Sequence, residues 1–273
     1  MSWREIAWNG VRFSTPADWE AAKIGPRYLL LADQREPALE IKWEKVKGRP
    51  SHRRVFRRLR SLHGSRVQES PLPEEWKRAL AGFTGTGFHW QAKTEGGRGA
   101  ILHCPACGNA TLIQFFHHKS TPIDETCLRL LSTFQDHATD DQVRWSLFDI
   151  RAVIPSQYKL AKYRFEAGRY ELNFVWRKEM VALYRWGPAS ALLAAEDLVA
   201  FAARTLEGQR SEWHPRSWSE HPAAEWEKRF PAGLWARFGE RLTGTRHYRK
   251  MRLWHLPEKN RIMGVAVRGN KLY

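Results

Sequence analysis

The sequence predicts an α+β protein made of two tandem, related domains. Three observations carry this reading. A series of landmarks recurs in the same order in both halves, apolar residues alternate with polar ones over short runs that read as strands, and a few stretches carry an apolar stripe at helical spacing.

The landmarks come first because a missed repeat misassigns the whole fold. Each half opens with a strand-like run that ends at a proline, Val11-Arg12-Phe13-Ser14-Thr15-Pro16 and Ile150-Arg151-Ala152-Val153-Ile154-Pro155. An aromatic residue follows each proline, Trp19 and Tyr158, and then a glycine step, Gly25-Pro26-Arg27-Tyr28 and Gly168-Arg169-Tyr170. Ile41-Lys42-Trp43 and Tyr184-Arg185-Trp186 close a third strand in each half. Further on, Glu75-Trp76-Lys77 is matched with Glu225-Trp226-Glu227, Thr84-Gly85-Thr86 with Thr243-Gly244-Thr245, His89-Trp90 with His247-Tyr248, and Cys104-Pro105 with Leu256-Pro257. An ordered series of this kind predicts an ancient duplication, with domains at 1–140 and 141–273 and a boundary in the polar stretch His137-Ala138-Thr139-Asp140-Asp141.

The elements follow in order. Leu39, Ile41 and Trp43 alternate with polar neighbours, the pattern of a half-buried strand. Ser51 to His63 reads as a helix with Ser51 at its N-cap, and a second helix is expected near Asp124 to His137. Phe174-Val175-Trp176 and Met180 to Trp186 flank Arg177-Lys178-Glu179 and read as a hairpin. Ser190 to Leu206 is the clearest helical stretch: Pro188 suits its first turn, Leu192, Leu193, Leu198, Val199 and Phe201 form a stripe, and Gly208 suits its end.

The opening pattern, with Phe13, Pro16 and Trp19 in a Phe-x-x-Pro-x-x-Trp spacing before a glycine turn, resembles the PsbP-like superfamily, which includes the DcrB-like proteins. Pro155, Tyr158 and Gly168 carry a looser version in the second half, where Ala152 replaces the aromatic. The resemblance implies a central antiparallel sheet flanked by helices in each domain. It also implies a binding or assembly role, since members of that superfamily are mostly of that kind.

Composition bounds the rest. The chain has 273 residues, 14 Trp and a formal net charge of +16, so packed aromatic interiors and a positive surface are expected. An anionic partner, nucleic acid or an acidic protein surface, fits that charge. The longest apolar stretch, Ala189 to Ala203, contains Glu196 and Asp197 and falls short of the roughly 20 apolar residues of a membrane span. Met1-Ser2-Trp3-Arg4-Glu5 carries an early acid and no apolar run, so no signal peptide is expected, and 3 Cys suggest a reducing, cytoplasmic setting.

Three features could carry chemistry. Cys104-Pro105-Ala106-Cys107-Gly108 has the spacing of a zinc knuckle, and a closed site would need two more donors. Cys127 and His117 are the leading choices for them, with His103 and His118 also near in sequence; a plain hairpin or a redox pair are the alternatives. The second feature is the basic segment Lys42 to Arg66, with Lys42, Lys45, Lys47, Arg49, Arg53, Arg54, Arg57, Arg58, Arg60 and Arg66 against a single acid, Glu44; it could neutralise phosphates or simply face water. The third is the polar-aromatic stretch from Trp213 to His221, read as a loop whose Trp213, His214, Arg216 and Trp218 could dock a partner or stack on bases. The Thr-Gly-Thr steps read either as anion-holding turns or as turns into strands. No nucleophile elbow, phosphate loop or paired acid and base forms a motif, which points to a non-enzymatic binding protein, with nucleic-acid binding and zinc binding as the rival functions.

Overall fold

A computed structural model describes residues 2–34, 36–48, 50–64, 66–92, 95–118, 124–138, 140–230 and 247–269. The chain divides into two compact units, Met1–Leu147 and Phe148–Tyr273.

In the first unit, β1 (Trp3–Trp8) and β2 (Val11–Pro16) form a hairpin closed by Asn9 and Gly10, both at positive φ. That is the turn whose twist suits two paired strands. There follow β3 (Glu20–Gly25), β4 (Tyr28–Asp33), β5 (Glu36–Lys45), α1 (His52–His63), β6 (Gln68–Ser70), α2 (Glu74–Ala79), β7 (Thr84–Gln91), β8 (Glu95–His103), β9 (Asn109–His118), α3 (Asp124–Thr133) and β10 (Gln142–Leu147). Seven of these strands build one antiparallel sheet in the order β3-β4-β5-β9-β8-β7-β6. Leu39 lies opposite Phe115 and Ile41 opposite Ile113, and all four are buried on one face. Trp76 of α2 sits edge-on to Phe115 on that face, with ring centroids 5.7 Å apart. The opposite face holds Phe88, Trp90 and Ile101, and α1 lays Phe56 and Leu59 upon them. Gly97 and Gly99 of β8 make room there: a Cβ on Gly97 would meet the Trp90 indole at 2.4 Å, and one on Gly99 would meet Ile113 O at 2.0 Å and the Phe88 ring at 2.7 Å. The hairpin is tied to the sheet by the Trp8 indole, which donates to the Gly25 carbonyl at 2.8 Å.

The second unit begins with β11 (Ile150–Pro155) and continues through β12 (Lys159–Glu166), β13 (Arg169–Trp176), β14 (Glu179–Trp186), α4 (Ala189–Leu192), α5 (Leu198–Thr205), β15 (His214–Trp218), β16 (His221–Phe230), β17 (His247–Leu256) and β18 (Arg261–Gly269). Its seven-stranded antiparallel sheet runs β12-β13-β14-β18-β17-β16-β15, the same connectivity as in the first unit. The likeness extends to detail. The first edge pair of each sheet carries a register shift two residues into the strand, between Ala21 and Lys23 and between Leu160 and Lys162. The turns after β8 and β17 each end on a left-handed residue, Gly108 at φ 73 and Asn260 at φ 53, the two residue types that reach that region most easily. The core on one face is Tyr184, Trp186, Trp226, Met251, Leu253 and Ile262, covered by Phe201 and Ala202 of α5.

These facts correct the expected fold class. The protein is β-rich, with three antiparallel sheets and few helices, and it is not an α+β fold with helices flanking each sheet. The overcount of helix has a local cause. Ser190 to Leu206 is apolar at so many positions that a helical stripe can be drawn through all of it, yet the chain makes two short helices there. Asp197 accepts the N–H of Ala200 at 2.7 Å and so starts α5 afresh as its N-cap. The second expected helix also stops early, at Thr133 rather than His137. Ser51 does stand at the N-cap of α1, although its side chain makes no capping bond. Two landmark pairings are overturned: Glu75-Trp76-Lys77 lies on helix α2, whereas Glu225-Trp226-Glu227 lies on strand β16, and His89-Trp90 lies on β7, whereas His247-Tyr248 lies on β17, the counterpart of β8. Thr84-Gly85-Thr86 opens strand β7, with the Thr86 hydroxyl donating to Ser70 O at 3.1 Å, which is the strand reading of that step; Thr243-Gly244-Thr245 lies outside the described residues.

The close approach at Gly99 is the most demanding packing in the first sheet. Gly99→Ala is expected to cost about 2–3 kcal/mol, read as a fall in the urea midpoint of the first unit; an unchanged midpoint would mean that the sheet opens freely there.

Candidate metal centre

The β8–β9 turn supplies two donors. The Cys104 N–H donates to Asn109 O at 2.9 Å and the Gly108 N–H to Cys104 O at 2.8 Å, which closes the loop Pro105-Ala106-Cys107-Gly108. Val46 N–H donates to Gly108 O at 2.9 Å, so the turn is also held from the end of β5. Cys104 is buried and Cys107 half-buried, and both are free thiols.

The other two donors arrive from the far side of α3. That helix ends at Thr133, whose hydroxyl donates back to Leu130 O at 2.9 Å. Gln135 then forms a backbone bridge with Arg12 of β2, at 2.8 and 2.9 Å, reinforced by the Arg12 guanidinium on the Gln135 side chain at 2.9 Å. The bridge turns the next two residues, Asp136 and His137, onto the cysteine turn. Asn109 Nδ2 fixes them there by donating to Asp136 O at 2.9 Å.

The result is a cluster of Cys104, Cys107, Asp136 and His137 whose donor atoms all lie within 4.8 Å of one another. Cys104 Sγ is 3.7 Å from His137 Nδ1, Cys107 Sγ donates to Asp136 Oδ2 at 3.2 Å, and His137 Nδ1 is 2.6 Å from Asp136 Oδ1. The Asp136 carboxylate is 1% exposed, so its charge is met by these neighbours and not by water. Burial, and then the Asp136 side chain, push the Cys107 thiol up to about 12. For zinc bonds of about 2.3 Å to sulfur and 2.0 Å to nitrogen, a tetrahedral site places sulfur and nitrogen about 3.6 Å apart. The Cys104–His137 separation is already at that value, and two thiols, an imidazole and a carboxylate form a zinc-type donor set.

The expected partners Cys127 and His117 are not part of this cluster. Cys127 is fully buried on α3, where burial pushes its thiol up to about 11 beside Arg98. His117 pairs with Gly96 at the opposite end of the β8–β9 hairpin. That is eight residues along β9 from Asn109, or about 27 Å of strand. Asp136 and His137 were missed because a helix continued to His137 would point them elsewhere. Their only sequence signal is the polar boundary stretch in which they stand.

The basic segment divides. Lys42 is paired with Glu40 at 2.7 Å and belongs to the sheet. Lys45, the last residue of β5, and Lys47 beyond it are exposed, Arg49 lies outside the described residues, and Arg53, Arg54, Arg57, Arg58 and Arg60 are all exposed on α1. The Trp213 to His221 stretch is not a loop, which is a further correction. His214–Trp218 is an edge strand that turns at Ser219 and Glu220, both at positive φ, into β16. Trp213 is a core residue beside Trp226 and donates its indole N–H to Glu207 O at 3.0 Å. Trp218 is 45% exposed under the Arg252 guanidinium, 3.7 Å from the ring centroid. Among the described residues, no helix is long and apolar enough to cross a membrane.

No protein-family model and no curated protein matches the chain, so the PsbP-like resemblance rests on its motif. Among solved structures, the chain is similar to immunity protein TplEi of T6SS from Pseudomonas aeruginosa, solved in complex with "L" peptide, at 10% identity and a TM-score of 0.35, over 99% of this chain and 88% of that one. It is also similar to a protein from Bacteroides thetaiotaomicron VPI-5482 at 10% identity and a TM-score of 0.30, over 48% of this chain and 47% of that one, so it spans about half the length of that protein. Neither likeness reaches the level at which a function is shared.

Asn109→Ala removes the side-chain bond that holds Asp136 against the turn. A loss of about 1 kcal/mol in the stability of the first unit is expected by chemical denaturation, and no change would show that the connector is positioned without it.

Proposed function

We propose that the chain is a non-enzymatic binding protein built from two copies of one PsbP-like module, and that its first copy holds a structural zinc ion on Cys104, Cys107, Asp136 and His137. The observation that carries the zinc reading is the convergence of those four donors, brought from two separated segments, within 4.8 Å. Four protein donors complete a tetrahedral shell, which is the arrangement of a structural ion and leaves no position open for a reacting molecule. The ion would fasten the connector after α3 to the β8–β9 turn. In the second module the matching turn, Leu256 to Asn260, is closed by Asn260 N–H on Pro257 O at 3.0 Å and offers no thiol, so zinc belongs to one copy alone. The shared strand order and the matching left-handed turn residues support duplication as the origin of the chain.

Protein purified without added zinc is expected to carry about one zinc per chain by elemental analysis, and cobalt substitution should give sulfur-to-metal absorption. Cys107→Ser should weaken zinc at least about 100-fold while Cys127→Ser leaves it unchanged. A well-folded protein that neither retains nor takes up zinc would refute the proposal.

A further inference from the structure

The outer face of α1 is made of arginine. At about 100° per residue, Arg53, Arg57 and Arg60 fall on one flank and Arg54 and Arg58 on the other, together covering an arc of roughly 160° opposite the buried Phe56 and Leu59. The helix has no acid in its first turn, and the sequence from Lys45 to Arg66 contains none at all. All five arginines are exposed, and among the described residues none has a carboxylate within salt-bridge distance. The helix in the same slot of the second module is treated otherwise: Arg204 there is paired with Glu196, and Arg210, in the turn that follows, with Asp197 at 2.6 Å.

We propose that α1 is a docking face for the phosphate backbone of nucleic acid, read without regard to base sequence. Five guanidinium groups stand within about 10 Å of helix axis. A duplex presents one negative charge per roughly 1.7 Å of its axis, and few other biological surfaces approach that density. Each guanidinium offers a planar fork that fits two phosphate oxygens. A lipid surface fits less well, because a helix that lies in a membrane interface turns its apolar face to the lipid. Here Phe56 and Leu59 are 4% and 2% exposed and already packed on the sheet, which leaves Leu62, 61% exposed, as a single apolar side chain and not an apolar face. Between the arginines the solvent face offers only Ser61 to contact a base edge, so binding is set by charge and not by sequence. Lys45 and Lys47, exposed where β5 runs out, extend the same positive field.

The test is fluorescence anisotropy of the full chain with labelled 20-base-pair duplexes of two unrelated sequences, over a salt series. Both duplexes should bind equally, with affinity falling steeply as salt rises. The variant combining Arg53→Gln, Arg54→Gln, Arg57→Gln, Arg58→Gln and Arg60→Gln should bind at least about 100-fold more weakly in low salt, with the slope of log affinity against log salt reduced by about 4. The matching five-lysine variant should stay within about 10-fold of the parent, which separates lost charge from lost structure; should the glutamine variant fail to fold, the pair Arg53→Gln and Arg57→Gln replaces it. Absence of duplex binding at low salt, an unchanged affinity in the glutamine variant, or tighter binding to polyglutamate or to phosphatidylglycerol vesicles than to duplex would each overturn the proposal.

Discussion

Burial of both faces of a seven-stranded sheet is the condition the first unit must meet, and large aromatic rings meet it. On one side Trp76 reaches Phe115, and on the other Phe88 and Trp90 lie flat across β8 because Gly97 and Gly99 leave no side chain in their way. Rings of this size bury 150–250 Å² each, so a few of them replace what would otherwise need long covering helices. This is why a chain of short helices can still close its sheets. It also ranks the elements: α1 adheres through Val55, Phe56 and Leu59 and through His63, which stacks on Trp90 and meets Gln114, whereas its arginine face makes none of these contacts.

The same economy places the metal donors. The α3 helix packs through Cys127, Leu130 and Leu131 and has no apolar residue to bury after Phe134. Its end therefore passes to a polar contact, the Gln135–Arg12 bridge, which belongs to β2 and not to the helix. A buried carboxylate at Asp136 is tolerable only if something answers its charge. A thiol and an imidazole do so in part, and a divalent cation would do so fully. The cluster is thus a consequence of where a helix stops, three residues before its first donor.

How far the sequence spoke follows from the same physics. Period-two alternation identified β5 and the β13–β14 hairpin because each strand has one buried and one wetter face. The cysteine turn was visible because its spacing is local. The remaining donors were not, since a contact between positions 107 and 136 depends on a helix terminus, and termini are decided by tertiary bridges that leave no local pattern. The expected long helix at Ser190 to Leu206 failed for the converse reason: apolar residues on both sides of Glu196 and Asp197 carry one helical stripe across them, which hides the break that the Asp197 cap imposes. Trp213 and Trp218 looked alike in sequence and differ entirely in place, one in the core and one stacked under Arg252, because Trp213 precedes the edge strand on the core side and Trp218 ends it on the opposite face.

Charge distinguishes the two units. The net charge of +16 is not spread evenly among unpaired groups. In the second unit Arg169 meets Glu171, Arg210 meets Asp197, Arg252 and Lys250 share Glu225, and Lys228 reaches Glu212. Such exposed pairs add little stability, on the order of 0–1 kcal/mol each, but they cancel the local field that an anion would feel. Among the described residues no carboxylate pairs with the α1 arginines. Two units with one connectivity therefore differ in the same slot, one carrying unpaired arginines and the other paired ones, and the thiols follow the same division, being confined to the first unit. A fold held by its aromatic interior can accept both changes, because neither the outer face of α1 nor the tip of the β8–β9 turn contributes to that interior.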